Sequence, residues 1–223
     1  MLLITLAHAI PDTAQHRSCV GFAGSSALAW LQEHLKIGPM WGTPGDADLL
    51  VTGKHGRNKA AFLSFVNRTL DIISTMDPAT LIVRTNEFRT YASHNRKIWV
   101  VDAAINWYPG NLSFIQCPGL NTLEEAVSLF DIDVCRVICR IHTMKPDCEE
   151  SIKNNIKRHV AVLDSISLSP RSGMTKHEFR TTTKTFRRVL KYQKRGFKFK
   201  NLGDVRFRPA QRRSCVRTEK YQA

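Results

Sequence analysis

The chain has 223 residues, of which 43% are hydrophobic and 23% charged, ordinary proportions for a packed domain and not those of a disordered chain. Its net charge of +14 is unevenly placed: residues 1–150 carry −2 and residues 151–223 carry +16. A near-neutral body with a basic final third points to a polyanionic partner, nucleic acid before an anionic membrane surface. No apolar run is long enough to span a bilayer.

Met1–Ala9 is apolar but lacks the basic start of a secretory signal, so it reads as the first strand or helix of the domain. Ser18–Ala23 reads as a strand, Gly24-Ser25 as a tight turn, and the segment from Ala27 to Leu35 as a helix. Backbone N–H groups at such a helix start form a small anion nest, and Ser25 adds a hydroxyl. The plain alternative is an ordinary turn with Ser as the helix cap.

The turn-rich Trp41–Gly45 segment delivers Asp46-Ala-Asp48-Leu-Leu-Val51, a second strand. Residues two apart on a strand share a face, so Asp46 and Asp48 present two carboxylates together. Hard oxygen ligands in that arrangement suit Mg²⁺ or Mn²⁺. A loop at Gly53–Gly56 and a helix from Asn58 to Thr75 follow, the latter with Phe62, Phe65, Val66, Leu70 and Ile73 on one face.

Strands are expected at Leu81–Arg84, Lys97–Val101 and Asn111–Cys117, and a short helix from Asn121 to Leu129. The segment from Phe130 to Ile138 reads as a further strand whose polar face carries Asp131 and Asp133. Carboxylates in so apolar a strand need a metal, a basic partner or water. Helices are expected from Pro146 to Val162 and from Thr175 to Tyr192. No zinc-type cysteine spacing, paired histidines, P-loop or Gly-x-Ser-x-Gly occurs. The six cysteines, scattered in apolar context, read as reduced core residues.

Strand-Gly-Ser-helix, then Asp-x-Asp on the next strand, then a later acid, resembles the polymerase-β-like nucleotidyltransferase superfamily. Trp41-Gly-Thr-Pro44-Gly-Asp46-Ala-Asp48-Leu-Leu-Val51 is similar to a segment of nucleotidyltransferase-like proteins from large DNA viruses and eukaryotes. So are Phe114-Ile-Gln116 with Phe130-Asp131-Ile-Asp-Val-Cys135, and Lys191-Tyr192-Gln-Lys-Arg195-Gly196-Phe197. The resemblance implies an α/β, nucleotidyltransferase-like mixed sheet with packed helices over residues 1–150, followed by a basic helical region over 151–223 that ends in a partly extended tail. It implies metal-dependent transfer of a nucleotidyl group to a nucleic acid or other hydroxyl acceptor, with a nucleoside triphosphate as substrate. Gly24 and Ser25 would hold the phosphates. Asp46 and Asp48 would bind Mg²⁺ or Mn²⁺, and Asp131 would be the third metal-binding, catalytic carboxylate, with Asp133 the alternative. An inactive member of the same fold, binding nucleic acid or serving as a virion component, is the rival.

The basic third interleaves cations with aromatics. Arg187, Arg188, Lys191, Lys194, Arg195, Lys198, Arg206 and Arg208 are the expected nucleic-acid contacts. Phe186, Leu190 and Tyr192 are expected to face the body. An intracellular location, cytoplasmic or nuclear, or the virion for a viral source, is the corresponding expectation, with no membrane partner.

Overall fold

A computed structural model describes residues 19–37, 45–76, 79–93, 96–163, 176–200 and 202. The expectations for Met1–Ala9, for Trp41–Pro44 and for Arg206 and Arg208 lie outside them. The chain runs β1 (Val20–Ala23), α1 (Gly24–His34), β2 (Ala47–Val51), a single turn α2 (Gly53–Gly56), α3 (Lys59–Met76), β3 (Ile82–Ser93), β4 (Arg96–Ile105) and β5 (Asn111–Gln116). It continues through α4 (Leu123–Ser128), a 3₁₀ turn (Asp133–Cys135), β6 (Ile138–Arg140), β7 (Pro146–Asp147), α5 (Glu150–Lys157), β8 (Val160–Ala161), α6 (Lys176–Lys194) and β9 (Lys198–Phe199).

Seven strands form one mixed sheet in the order β3-β4-β5-β2-β1-β6-β7. Its single parallel pair is β2 with β5, and every other neighbour is antiparallel. The strand alternation divides the sheet into two faces. On one, Val20, Phe22, Ala47, Leu49, Val51, Leu112 and Phe114 are wholly buried. Leu28 and Leu31 of α1 and Phe62, Phe65, Val66, Leu70 and Ile73 of α3 belong to the same core. On the other face Ala23 and Leu50 pack with Leu123, Ala126 and Val127 of α4. That cover reaches only part of the face, and the ends of β2, β5 and β4 beside it carry polar groups.

Several elements differ from the sequence reading. The strand expected over Leu81–Arg84 runs from Ile82 to Ser93, and the loop expected at Gly53–Gly56 is a helical turn. The strand expected over Phe130–Ile138 is broken, because the Asp133 side chain takes backbone donors a strand would give to a neighbour. Its Oδ1 accepts from Val134 N at 2.8 Å and from Val162 N at 2.7 Å, and Oδ2 accepts from Asn155 Nδ2 at 2.9 Å. The chain turns through the 3₁₀ segment before β6 begins. The helix expected from Pro146 is shorter, since Pro146 and Asp147 pair with β6 and Val160–Ala161 pairs with β9.

The basic region shares the body's core. Val189, Tyr192 and Phe197 are buried with Ile152, Ile156 and Ala161 in the cluster that includes the sheet. Helix α6 ends in a Schellman motif: Phe197 N donates to Tyr192 O at 3.0 Å and Gly196 N to Gln193 O at 2.9 Å, with Gly196 at φ +87°. The Phe197 and Tyr192 rings meet edge-on, 6.0 Å between centroids. Lys-Tyr-x-x-Arg-Gly-Phe thus has a local cause: Tyr192 and Phe197 anchor the helix end, and Gly196 stops it. Leu190, expected to face inward, is 40% exposed, while Thr185, Val189 and Tyr192 line the inner stripe.

Candidate functional site

Strand register builds the site. Asp48 of β2 stands opposite Ser113 of β5, and Ser113 stands opposite Asp102 of β4. Directly opposed residues share a face, so Asp48, Ser113 and Asp102 form a row across three strands. The Ser113 hydroxyl donates to Asp102 Oδ1 at 2.6 Å, and both residues are buried. Asp46 precedes β2, is exposed, and accepts from Asn111 N at 3.1 Å.

Ala23, the last residue of β1, lies opposite Asp48, so α1 begins beside that carboxylate. Gly24 has φ +68°, a left-handed conformation that glycine adopts at no steric cost. A Cβ there would sit 3.3 Å from Asp48 Oδ2. Glycine therefore lets the helix start close against the carboxylate. No side chain caps this helix, which leaves first-turn N–H groups for a ligand. Ser25 is half-buried at that turn. Ser26, one residue on, donates through Oγ to Asp46 O at 2.7 Å and shares a hydrogen bond with the Tyr108 hydroxyl.

The charges at this spot are under-compensated. Burial pushes the Asp48 carboxyl up to about 6; Asp46 and Asp102 raise it further, and Lys191 pulls it down. Lys191 belongs to α6, and its own pKa is lowered by partial desolvation and by Arg195, against the pull of Asp48 and Asp46. Burial also raises Tyr108, with Asp46 and Asp48 adding to the effect. Among the described residues Asp48 accepts no hydrogen bond.

Gly24, Ser25, Asp46 and Asp48 are thus brought together. Asp131 is engaged elsewhere: its Oδ2 accepts from Thr185 Oγ at 2.6 Å and pairs with Arg188 Nη2 at 2.8 Å. Asp131 is not among the charges acting on Asp48, whereas Asp102 is. Asp133 is spent on the backbone contacts described above. Asp102, Ser26 and Tyr108 are the site features that sequence reasoning missed, whereas Lys191 was expected as a nucleic-acid contact and not as a charge acting on Asp48. The signal for Asp102 was present: Val100-Val101-Asp102-Ala103-Ala104 places an acid inside an apolar strand, as Phe130-Asp131-Ile132 does.

No three His, Cys, Asp or Glu side chains among the described residues are grouped so as to hold an ion alone. Magnesium asks for less, being commonly bound by one or two carboxylates with substrate phosphates and water completing its shell. Asp46 and Asp48 are the carboxylates such a cation would use, and the N–H groups of the uncapped α1 start beside Gly24 suit anionic phosphate. On α6, Arg187, Lys191 and Lys194 are exposed, as is Lys198 beyond it. Arg195 lies over the Tyr192 ring, 5.3 Å from its centroid. No helix among the described residues is long and apolar enough to cross a membrane. Compared with known proteins, the chain matches no family model, and no curated protein sequence matches it significantly.

Proposed function

We propose that the protein is a metal-dependent nucleotidyltransferase of the polymerase-β-like type, with Asp102 in the role first given to Asp131. The observation that carries this reading is the row Asp48–Ser113–Asp102, with the uncapped Gly24 helix start against Asp48. The first turn of α1 receives the triphosphate, Asp46 and Asp48 hold Mg²⁺ or Mn²⁺, and Lys191 meets phosphate oxygens from the α6 side. A cation held by Asp46 and Asp48 would supply charge neutralisation on the phosphates and on the attacking and leaving oxygens. Asp102, fixed by Ser113, faces the acceptor hydroxyl. The exposed cations of α6 give a nucleic-acid acceptor its phosphate contacts.

A second reading has its own support. Lys191 already acts as a positive charge on Asp46 and Asp48, and no three acids among the described residues group so as to hold an ion alone. A protein of the same architecture that binds nucleic acid without turnover accommodates both facts. Incubation with each labelled nucleoside triphosphate, Mg²⁺ or Mn²⁺ and an oligonucleotide separates the two. Nucleotidyl transfer that needs the metal and is lost in Asp48→Ala is the expected result. No product from any nucleotide with either metal decides for the binding protein.

A further inference from the structure

We propose that Asp131, Thr185 and Arg188 form a clasp that fixes the rotation of α6 and so keeps Lys191 turned toward the Asp46–Asp48 side; this rests on the reading above, in which Lys191 meets the triphosphate. Asp131 would then be a positioning residue and not a metal ligand.

The clasp is poorly explained as packing alone. The Asp131 side chain is 5% exposed. Its Oδ2 takes both Thr185 and Arg188, and Arg188 Nη2 also reaches Thr185 Oγ at 3.4 Å. Its Oδ1 is enclosed and accepts no hydrogen bond among the described residues. A buried carboxylate with an unused oxygen costs free energy, and well-packed apolar side chains hold a helix at least as firmly. What the polar arrangement adds is direction. Thr185, Arg188 and Lys191 follow one another at three-residue spacing along one stripe of α6. A rotation of the helix by one residue, about 100°, would carry Lys191 away from the acids. The clasp resists that rotation from one side of Lys191, and the buried Tyr192 with its Phe197 contact resists it from the other.

The test uses the full chain and tripolyphosphate with Mg²⁺, titrated by calorimetry. Lys191→Met and Asp131→Asn are each expected to weaken binding about tenfold, the size of one charge-assisted contact. The double variant is expected to be no weaker than either single one. Arg188→Gln, at a side chain 47% exposed, should reproduce the loss and serves if Asp131→Asn does not fold. Val189→Ala, which loosens the inner stripe without touching the clasp, should lower the melting temperature and leave affinity unchanged. Additive losses in the double variant overturn the proposal. So do an unaltered affinity in Lys191→Met and an absence of tripolyphosphate binding by the wild type. Coupled binding losses in a wild type that forms no nucleotide product would remove the transferase reading and keep the clasp.

Discussion

Asp48 is ionised at neutral pH against the cost of its burial and of two neighbouring carboxylates. A carboxyl raised from 3.8 to about 6 contributes stability below the unfolded value, and that contribution is lost as pH rises through the folded one. Asp48→Asn removes the charge, so above pH 6 it should be more stable than the wild type, by up to about 3 kcal/mol, and melt at a higher temperature. The difference should vanish near pH 3.5, where both side chains are neutral. Thermal unfolding of the two proteins across that range checks this, and an unchanged gap at all pH values would refute it. The same substitution should abolish any metal-dependent activity. Asp102→Asn should lower kcat by at least about tenfold while leaving nucleotide affinity nearly intact, as expected of a group facing the acceptor; single-turnover kinetics with a bound-nucleotide control would show it. Asp46 and Asp48 were expected together from strand alternation; β2 begins only at Ala47, and Asp46 is held at its start by Asn111 N. The third acid was not legible. Asp102 and Asp131 sit in equally apolar surroundings, and what separates them is a Ser113 on a neighbouring strand and an Arg188 far along the chain.

At the scale of elements, β1 and β2 were readable as short apolar runs, which are buried on both faces of the sheet, and α3 from the helical spacing of its apolar residues. Failure came where a side chain or a distant strand competed for backbone donors, as Asp133 does with Val134 and Val162. The Pro109-Gly110 turn shows how a connection sets a site. A Cβ on Gly110 would overlap the Gly45 carbonyl and lie 3.0 Å from Asp46 N. The next residue, Asn111, donates its N–H to Asp46. Gly110→Ala must therefore push the turn off the start of β2. It should cost more than about 2 kcal/mol, in the range for overpacking against fixed backbone. It should also weaken metal binding through a displaced Asp46. Denaturant unfolding and a Mn²⁺ titration measure the two effects separately.

For the whole molecule, the charge asymmetry of the sequence leaves Arg187, Lys191 and Lys194 of α6 exposed to a polyanion. Oligonucleotide affinity should fall steeply with salt, because each phosphate contact releases a counterion. Replacing Arg187 and Lys194 together by Gln should reduce the slope of log K against log salt by about two, one for each contact. A flat dependence in the wild type would reject phosphate contacts altogether. The sheet distributes its irregularity in a way that protects the site. Pairing of β4 with β5 is unbroken from Val100 to Ala104, whereas both register shifts of β4 lie on its β3 side, between Arg84 and Arg89. A slip of one residue in the inner ladder would turn Asp102 to the opposite face. A residue added to or removed from the outer hairpin would fall outside that ladder, so the expected outcome is that the acids keep their alignment.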